Sequence, residues 1–248
     1  MSPRTSFNSP TLLRWLARLS DLDVADARPV FAERLSEWLG WSDAILLADA
    51  LGGGPAGGAA GAPAHPRPPE GSEAAECAAL RVALAAAISA ASAPSAPRSS
   101  RSSGAGRNEP VSADPADFTP HRRHLQTRQR AMDVAIAPLR ARLRATLTAR
   151  SAALAQLAAV DAVMEQVLAE RAQRLLSSLP GLLERHFERL RLAAPTPGGS
   201  AAPPGGGNTL RRAAWQDQFD RDLQDVLLAE LDFRMQPLEG LVAALLPR

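Results

Sequence analysis

The sequence predicts an all-α fold, an elongated helical bundle with long amphipathic helices and disordered linkers rich in Gly, Pro and Ser. Large apolar residues recur at the helical period along most of the chain, which indicates amphipathic helices. The segments that carry them are rich in Ala, Leu and Arg, all strong helix formers, and most of the 17 glycines lie outside them. No stretch alternates with period two for long enough to predict a strand.

Three stretches are predicted to be disordered linkers: residues 52–71, 94–115 and 194–207. They are rich in Gly, Pro or Ser and hold few large apolar residues. Such segments bury too little apolar surface to offset the entropy that is lost when a chain is ordered. The linkers therefore divide the chain into separate helical blocks.

Residues 1–51 are predicted to form a small helical unit with a core of its own, because three of the four tryptophans fall in it. Its first helix begins at Ser9-Pro10, where a capping hydroxyl precedes a proline at the first helical position. A second helix begins near Pro29, and a short third helix follows Gly40.

Three further helical blocks follow. Residues 72–93 form one alanine-rich helix, and residues 208–248 form the C-terminal helices. Residues 116–193 hold the longest helices, with a bend near Pro138 and a break near Pro180, because proline interrupts the hydrogen bonds of a helix. The apolar stripe in this block keeps the ordinary α period near 3.6 rather than the 3.5 of a coiled coil.

The composition excludes several catalytic mechanisms. Lysine is absent and all 28 basic residues are arginine, which excludes a Schiff-base lysine and the lysine of a phosphate-binding loop. The single cysteine, Cys77, excludes an internal disulfide and a cysteine-rich metal site. It lies among alanines on a predicted helix, so we expect a buried thiol.

Two patterns resemble functional motifs but fail on their context. Gly52, Gly54 and Gly57 match G-x-G-x-x-G, yet the match follows a helix and enters a proline-rich tract instead of joining a strand to a helix. His121 and His124 could share a helix face, but neighbouring arginines oppose a metal ion there, so both histidines are expected to be solvated. We therefore expect no catalytic residue, no metal ligand and no cofactor.

Positive charge is concentrated in residues 119–150, which carry eight arginines against one acid, Asp133. Three interpretations are open: these arginines pair with the acidic terminal blocks, bind an acidic protein partner, or bind the phosphates of nucleic acid or anionic lipid. The third interpretation lacks the aromatic residues that stack on bases. The candidate interaction surface comprises Arg122, Arg123, Arg128, Arg130, Arg140, Arg142 and Arg144.

Two acidic residues coincide with an apolar helix face in the C-terminal block. At 100° per residue, Glu230 lies within the face that Trp215 and Val226 mark. Asp222 lies at the edge of the same face. Because an unpaired buried carboxylate is expensive, we predict that both acids pair with arginines of residues 119–150. The alternative is that the helix bends or ends early and leaves Glu230 in water.

The chain is expected to be cytoplasmic. Its amino terminus lacks the uninterrupted apolar core of a signal peptide, because Arg14 and Arg18 interrupt it. No stretch approaches the roughly 20 apolar residues that span a bilayer, so no transmembrane segment is expected.

Four segments of the helical blocks resemble a known family: SPTLLRWLARLSDLDV, LAQLAAVDAVMEQVLAERAQRLL, PGLLERHFERLR and DVLLAELDFRMQPLEGLVAALL. They are similar to an uncharacterised helical family of Gram-negative proteobacteria, a domain of unknown function. The resemblance omits the linkers and contains no catalytic motif. It implies an accessory role for an envelope-linked machine, since relatives are encoded beside envelope proteins that resemble outer-membrane protein A.

These observations predict a non-catalytic helical adaptor or assembly protein whose partner is another protein or a second copy of the chain. The alternative is a nucleic-acid-binding protein that uses the arginine-rich helix at residues 119–150. Retention on heparin or DNA that falls steeply with salt would favour the second function over the first.

Overall fold

The computed structural model describes residues 11–20, 40–52, 72–90, 117–194 and 207–246, and the side chains of the last range from Ala214 onward. Within these residues the protein contains six helices and no strand, which confirms the all-α prediction. The predicted linkers at 52–71, 94–115 and 194–207 lie outside the described residues, apart from Gly52, Ala194 and Gly207.

Three short helices precede three long ones. We number the six in chain order: α1 Thr11–Ser20, α2 Trp41–Gly52, α3 Ser72–Ala90, α4 Thr119–Arg150, α5 Ala152–Ala193 and α6 Gly207–Leu245.

The chain reverses between α4 and α5 at a single residue, Ser151. Its backbone is extended, with φ −164° and ψ 159°, and its side chain accepts a hydrogen bond from the backbone N–H of Leu154. That bond, at 3.2 Å, is the ordinary N-cap interaction of serine. The sequence analysis treated the apolar stripe of residues 116–193 as interrupted only at its prolines, so this reversal was missed.

The predicted break near Pro180 is wrong, because α5 continues through Pro180 and Gly181. A proline inside a helix removes one backbone hydrogen bond. The apolar side chains next to it, Leu179, Leu182 and Leu183, are all buried, and their packing offsets that loss. The predicted bend near Pro138 lies within the continuous helix α4 and stays a prediction.

The long helices form an antiparallel bundle. Helices α4 and α6 run parallel to each other, while α3 and α5 run antiparallel to them on opposite sides, and α1 packs against α5 and α6. Side-chain contacts between the helices set these directions: Arg122 with Glu184, Arg140 with Asp161, His121 with Asp220, Arg150 with Leu245, Ser89 with Gln224 and Arg81 with Glu239.

One continuous apolar core joins five of the helices. The stripe of α4, including Met132, Leu143 and Leu147, meets the buried leucines of α5 and α6. Leu12 and Leu16 of α1 lie in this same core, so the described part of residues 1–51 shares the core of the bundle and has no separate one. By contrast, α2 has no buried residue.

Among the described residues, α5 is the one helix that is long and apolar enough to cross a membrane by length and composition. It is an exception to the expectation that the chain has no such stretch. Core helices of soluble proteins meet the same criterion, and this helix contains Asp161, which pairs with Arg140 and Arg144 of α4.

The continuity of α5 has a simple test in Gly181. A Cβ atom at this position would meet no atom within 4 Å, and Gly181 lies inside the helix. Gly181→Ala should therefore raise the free energy of unfolding by about 0.5–1 kcal/mol, since alanine favours a helix interior over glycine. Urea denaturation checks this, and a destabilised variant would restore the predicted break.

Candidate interaction surface

Two of the seven candidate arginines face α5 and are nearly buried. Arg140 donates to Asp161 from Nε and Nη2 at 2.9 and 2.7 Å and to Glu165 from Nη1 at 2.9 Å. Arg144 contacts the same two carboxylates at 2.6 and 2.7 Å. Burial raises the pKa of Asp161, but the hydrogen bonds from Arg140 and Arg144 outweigh that effect and hold its pKa below the ordinary value.

Two further arginines of α4 form ion pairs within the bundle. Arg122 donates to Glu184 of α5 at 2.6 Å, and Arg142 pairs with Glu76 of α3. Four of the seven arginines are therefore matched internally, but by carboxylates of α3 and α5. The acidic terminal blocks, which the first interpretation named as their partners, do not supply these carboxylates.

Three candidate arginines form no ion pair within the described part of the chain. Arg123 and Arg130 are exposed, and Arg128 is half-buried, with an Nε atom that has no hydrogen-bond partner there. The surface that remains for an external anion is therefore much smaller than the sequence predicts.

Glu230 is fully buried, so the alternative that left it in water is wrong. Its carboxylate accepts hydrogen bonds from Nε and Nη2 of Arg234 at 2.9 and 2.7 Å and from Nε2 of Gln129 at 3.1 Å. The predicted partner, an arginine of residues 119–150, is wrong: Arg234 lies one turn along the same helix, and α4 contributes the neutral Gln129. Burial raises the pKa of Glu230, and Arg234 opposes that shift.

Asp222 is also buried, and its partner also differs from the prediction. Its Oδ2 atom lies 2.7 Å from Nε2 of His186 on α5, and its Oδ1 accepts a hydrogen bond from Gln218 at 2.9 Å. No arginine of α4 is involved, because α4 presents His121 and Phe118 at this level of the bundle. Sequence reasoning missed His186, since it lies on a helix whose packing partner was unknown.

An aromatic cluster surrounds these acids at the end of the bundle where α4 begins. Phe118, Phe187 and Phe219 pack against one another with ring centroids 5.0–6.1 Å apart. His121 packs into this cluster, 4.9 Å from the ring of Phe219, so the prediction that it is solvated is wrong. Burial lowers the pKa of His121 and raises the pKa of its neighbour Asp220 to about 6.

The remaining sequence predictions concern Cys77 and metal ions. Cys77 is buried, as predicted, and burial raises the pKa of its thiol. No group of three or more His, Cys, Asp or Glu side chains in the described ranges is arranged to hold a metal ion.

A different surface was missed by the sequence analysis, the outer side of α2. Trp41 is 85% exposed, and Ile45, Leu46 and Leu51 are each about half exposed. The other side of the helix lies on α5, where Gln156 donates to the carbonyl of Leu51 at 2.5 Å. We call Trp41, Ile45, Leu46 and Leu51 the α2 apolar surface. The sequence indicated these apolar residues, but it assigned them to a local core.

The buried carboxylate of Glu230 gives the first prediction for this region. Glu230→Ala should cost about 3 kcal/mol of unfolding free energy, because it leaves the half-buried Arg234 without its nearest anion and opens a cavity. Glu230→Gln should cost less, since its amide oxygen still accepts from Arg234. Thermal or urea unfolding measures both, and exposed Glu188→Ala is the control. Wild-type stability in both Glu230 variants would contradict the paired arrangement.

The raised pKa of Asp220 gives a pH prediction. Its pKa in the folded state is about 6, above the ordinary 3.8, so the folded protein prefers the protonated form. The stability from this group is full below about pH 4 and is lost as the pH rises through 6. Asp220→Asn should therefore be more stable than wild type at pH 8, by about 1–3 kcal/mol.

The control for this prediction is Asp225→Asn, an exposed acid of the same helix. The difference in unfolding free energy between wild type and Asp220→Asn should grow from pH 4 to pH 7, and that of the Asp225 variant should stay flat. A difference for Asp220→Asn that does not change with pH would show that burial does not perturb this carboxyl group.

Comparison with known proteins places this architecture in a family. No curated protein and no solved structure matches the chain. A family model described as a protein of unknown function (DUF3348) matches residues 1–246, which confirms the resemblance to a domain of unknown function. Since this match covers nearly all of the 248 residues, the chain belongs to the DUF3348 family.

Proposed function

We propose that the protein is a non-catalytic helical adaptor that binds another protein chain and holds it in an assembly. The observation that carries this proposal is the α2 apolar surface. A helix that rests on the bundle by one side and exposes a tryptophan and three large aliphatic residues on the other is typical of a protein–protein contact.

The arginines support the same function through what they do inside the bundle. Arg122, Arg140, Arg142 and Arg144 pair with carboxylates of the same chain. Such pairs fix the register of α4 against α3 and α5, and they leave little charge for an external ligand. The envelope-linked setting that the family resemblance implies stays a prediction.

Nucleic-acid binding is the second candidate, and the exposed Arg123 and Arg130 favour it. Two arginines neutralise at most about two phosphates, so the logarithm of the binding constant should fall with the logarithm of salt with a slope near −1.8. A protein that tracks a DNA backbone makes several times more contacts. The geometry therefore favours the protein partner.

The adaptor function predicts that a defined protein co-purifies with the full chain from its native host and depends on Trp41. Trp41→Glu should reduce the recovery of that protein at least about tenfold, because a buried tryptophan is often the dominant residue of an interface. The measurement is affinity capture followed by mass spectrometry, with helical content checked by circular dichroism.

The matched control is Val134→Glu, the same kind of change at an exposed apolar residue of α4, 76% exposed. It should leave the recovery unchanged. Equal recovery with Trp41→Glu and wild type would overturn the proposal. Recovery of nucleic acid that is lost in Arg123→Ala/Arg130→Ala would favour the second candidate.

A further inference from the structure

We propose that the α2 apolar surface docks against the same surface of a second copy of this chain, with the two α2 helices antiparallel. The inference rests on the proposed function and names its partner as an identical chain. In this arrangement Trp41 of each copy packs over Gly52 of the other.

The geometry of α2 separates its two sides. Asp43, Leu47 and Ala50 are half-buried against α5, and they lie within about 60° of one another at 100° per residue. The outward ridge on the opposite side is formed by Trp41, Ile45, Ala48 and Gly52, at the i, i+4, i+7 and i+11 spacing of a helix-packing ridge. Leu46 and Leu51 flank the ridge.

The ridge is self-complementary in size. Its large residues, Trp41 and Ile45, stand at the start of the helix, and its small residues, Ala48 and Gly52, stand at the end. A twofold axis places residue i of one copy against residue j of the other, and j against i. Antiparallel docking therefore pairs Trp41 with Gly52 and Ile45 with Ala48, twice. A Cβ atom at Gly52 would meet nothing within 4 Å in one copy, so this end of the ridge is open to the indole.

The charges of α2 agree with the antiparallel register and oppose other occupants. Asp49, at the edge of the ridge, falls opposite Ala44 of the second copy, whereas parallel docking would set Asp49 against Asp49. The helix carries Asp43 and Asp49 and no basic residue, which disfavours an anionic lipid surface. A second copy brings an apolar ridge of the same length and no like charge opposite.

The exposed area sets the strength of the contact. Trp41 and the three aliphatic residues leave on the order of 300 Å² of apolar side chain per copy, since a tryptophan buries about 150–250 Å² and an aliphatic side chain about half of that. The rim of the ridge adds to this, but two copies stay below the roughly 1,200 Å² of a stable interface. The dimer should therefore be weak and concentration-dependent.

Sedimentation equilibrium of the purified full chain tests the dimer, from about 1 to about 300 µM, a range suited to a weak interface. The average mass should rise from 26.2 kDa toward twice that value. Gly52→Leu should weaken the dimer at least about tenfold, because the new side chain occupies the site of Trp41 without a clash inside its own chain. Gly240→Leu, at another open helical glycine, is the control and should dimerise like wild type.

The register is tested by oxidation of two single-cysteine variants, Ile45→Cys and Ala48→Cys, each in a Cys77→Ala background. When mixed, they should form the heterodisulfide between positions 45 and 48 in preference to either homodisulfide, because these positions face each other only in the antiparallel arrangement. Homodisulfides alone would overturn the register.

The outcomes separate this inference from the function on which it rests. A monomer at every concentration overturns the inference, and the adaptor function then stands if Trp41→Glu still loses a captured protein. A monomer that Trp41→Glu destabilises, with no captured protein, would mean that residues of the same chain cover the ridge, and both proposals would fail. Dimerisation that is unaffected by Gly52→Leu would place the contact elsewhere and overturn the inference as well.

Discussion

The reversal at Ser151 is the constraint on which the rest of the bundle depends. One extended residue forces α4 and α5 to run antiparallel with a fixed register. That register sets Arg140 and Arg144 against Asp161, which lies ten residues beyond the turn. Helix α6 then closes the core in the groove that α4 and α5 leave, so the positions of its acids follow from the same turn. Without this reversal, the arginines of α4 would have no carboxylates within reach.

The buried polar groups contribute to the choice of one packing more than to its stability. An ion pair such as Glu230 with Arg234 gains little over a well-packed apolar pair, because both groups lose their hydration. A wrong register, however, would leave the carboxylate of Glu230 without Gln129 and Arg234, at a cost of several kcal/mol. Long leucine stripes tolerate a slip of one turn. The polar contacts of Asp222 and Glu230 penalise such a slip.

The sequence predicted what depends on local periodicity. The helices, the burial of Glu230 and Asp222 and the burial of Cys77 all follow from spacing along one helix. The partners did not follow, because a helical wheel gives the face of a residue but not the helix opposite that face. His121 was expected in water for the same reason, since Phe187 and Phe219 reach it from distant parts of the chain. Arg234 was within reach of prediction, as it lies four residues after Glu230.

The break expected near Pro180 and the core expected around Trp41 were wrong in opposite directions. At Pro180, tertiary packing overrides an unfavourable local residue, because Leu179 and Leu183 are fully buried on the same helix. At Trp41, an apolar residue that should be buried is left outside, because α2 meets α5 on its other side. A bundle that satisfies its charges internally and still exposes a tryptophan departs from the usual pattern at that one helix. Such a local departure from an otherwise consistent fold is the expected mark of a functional surface.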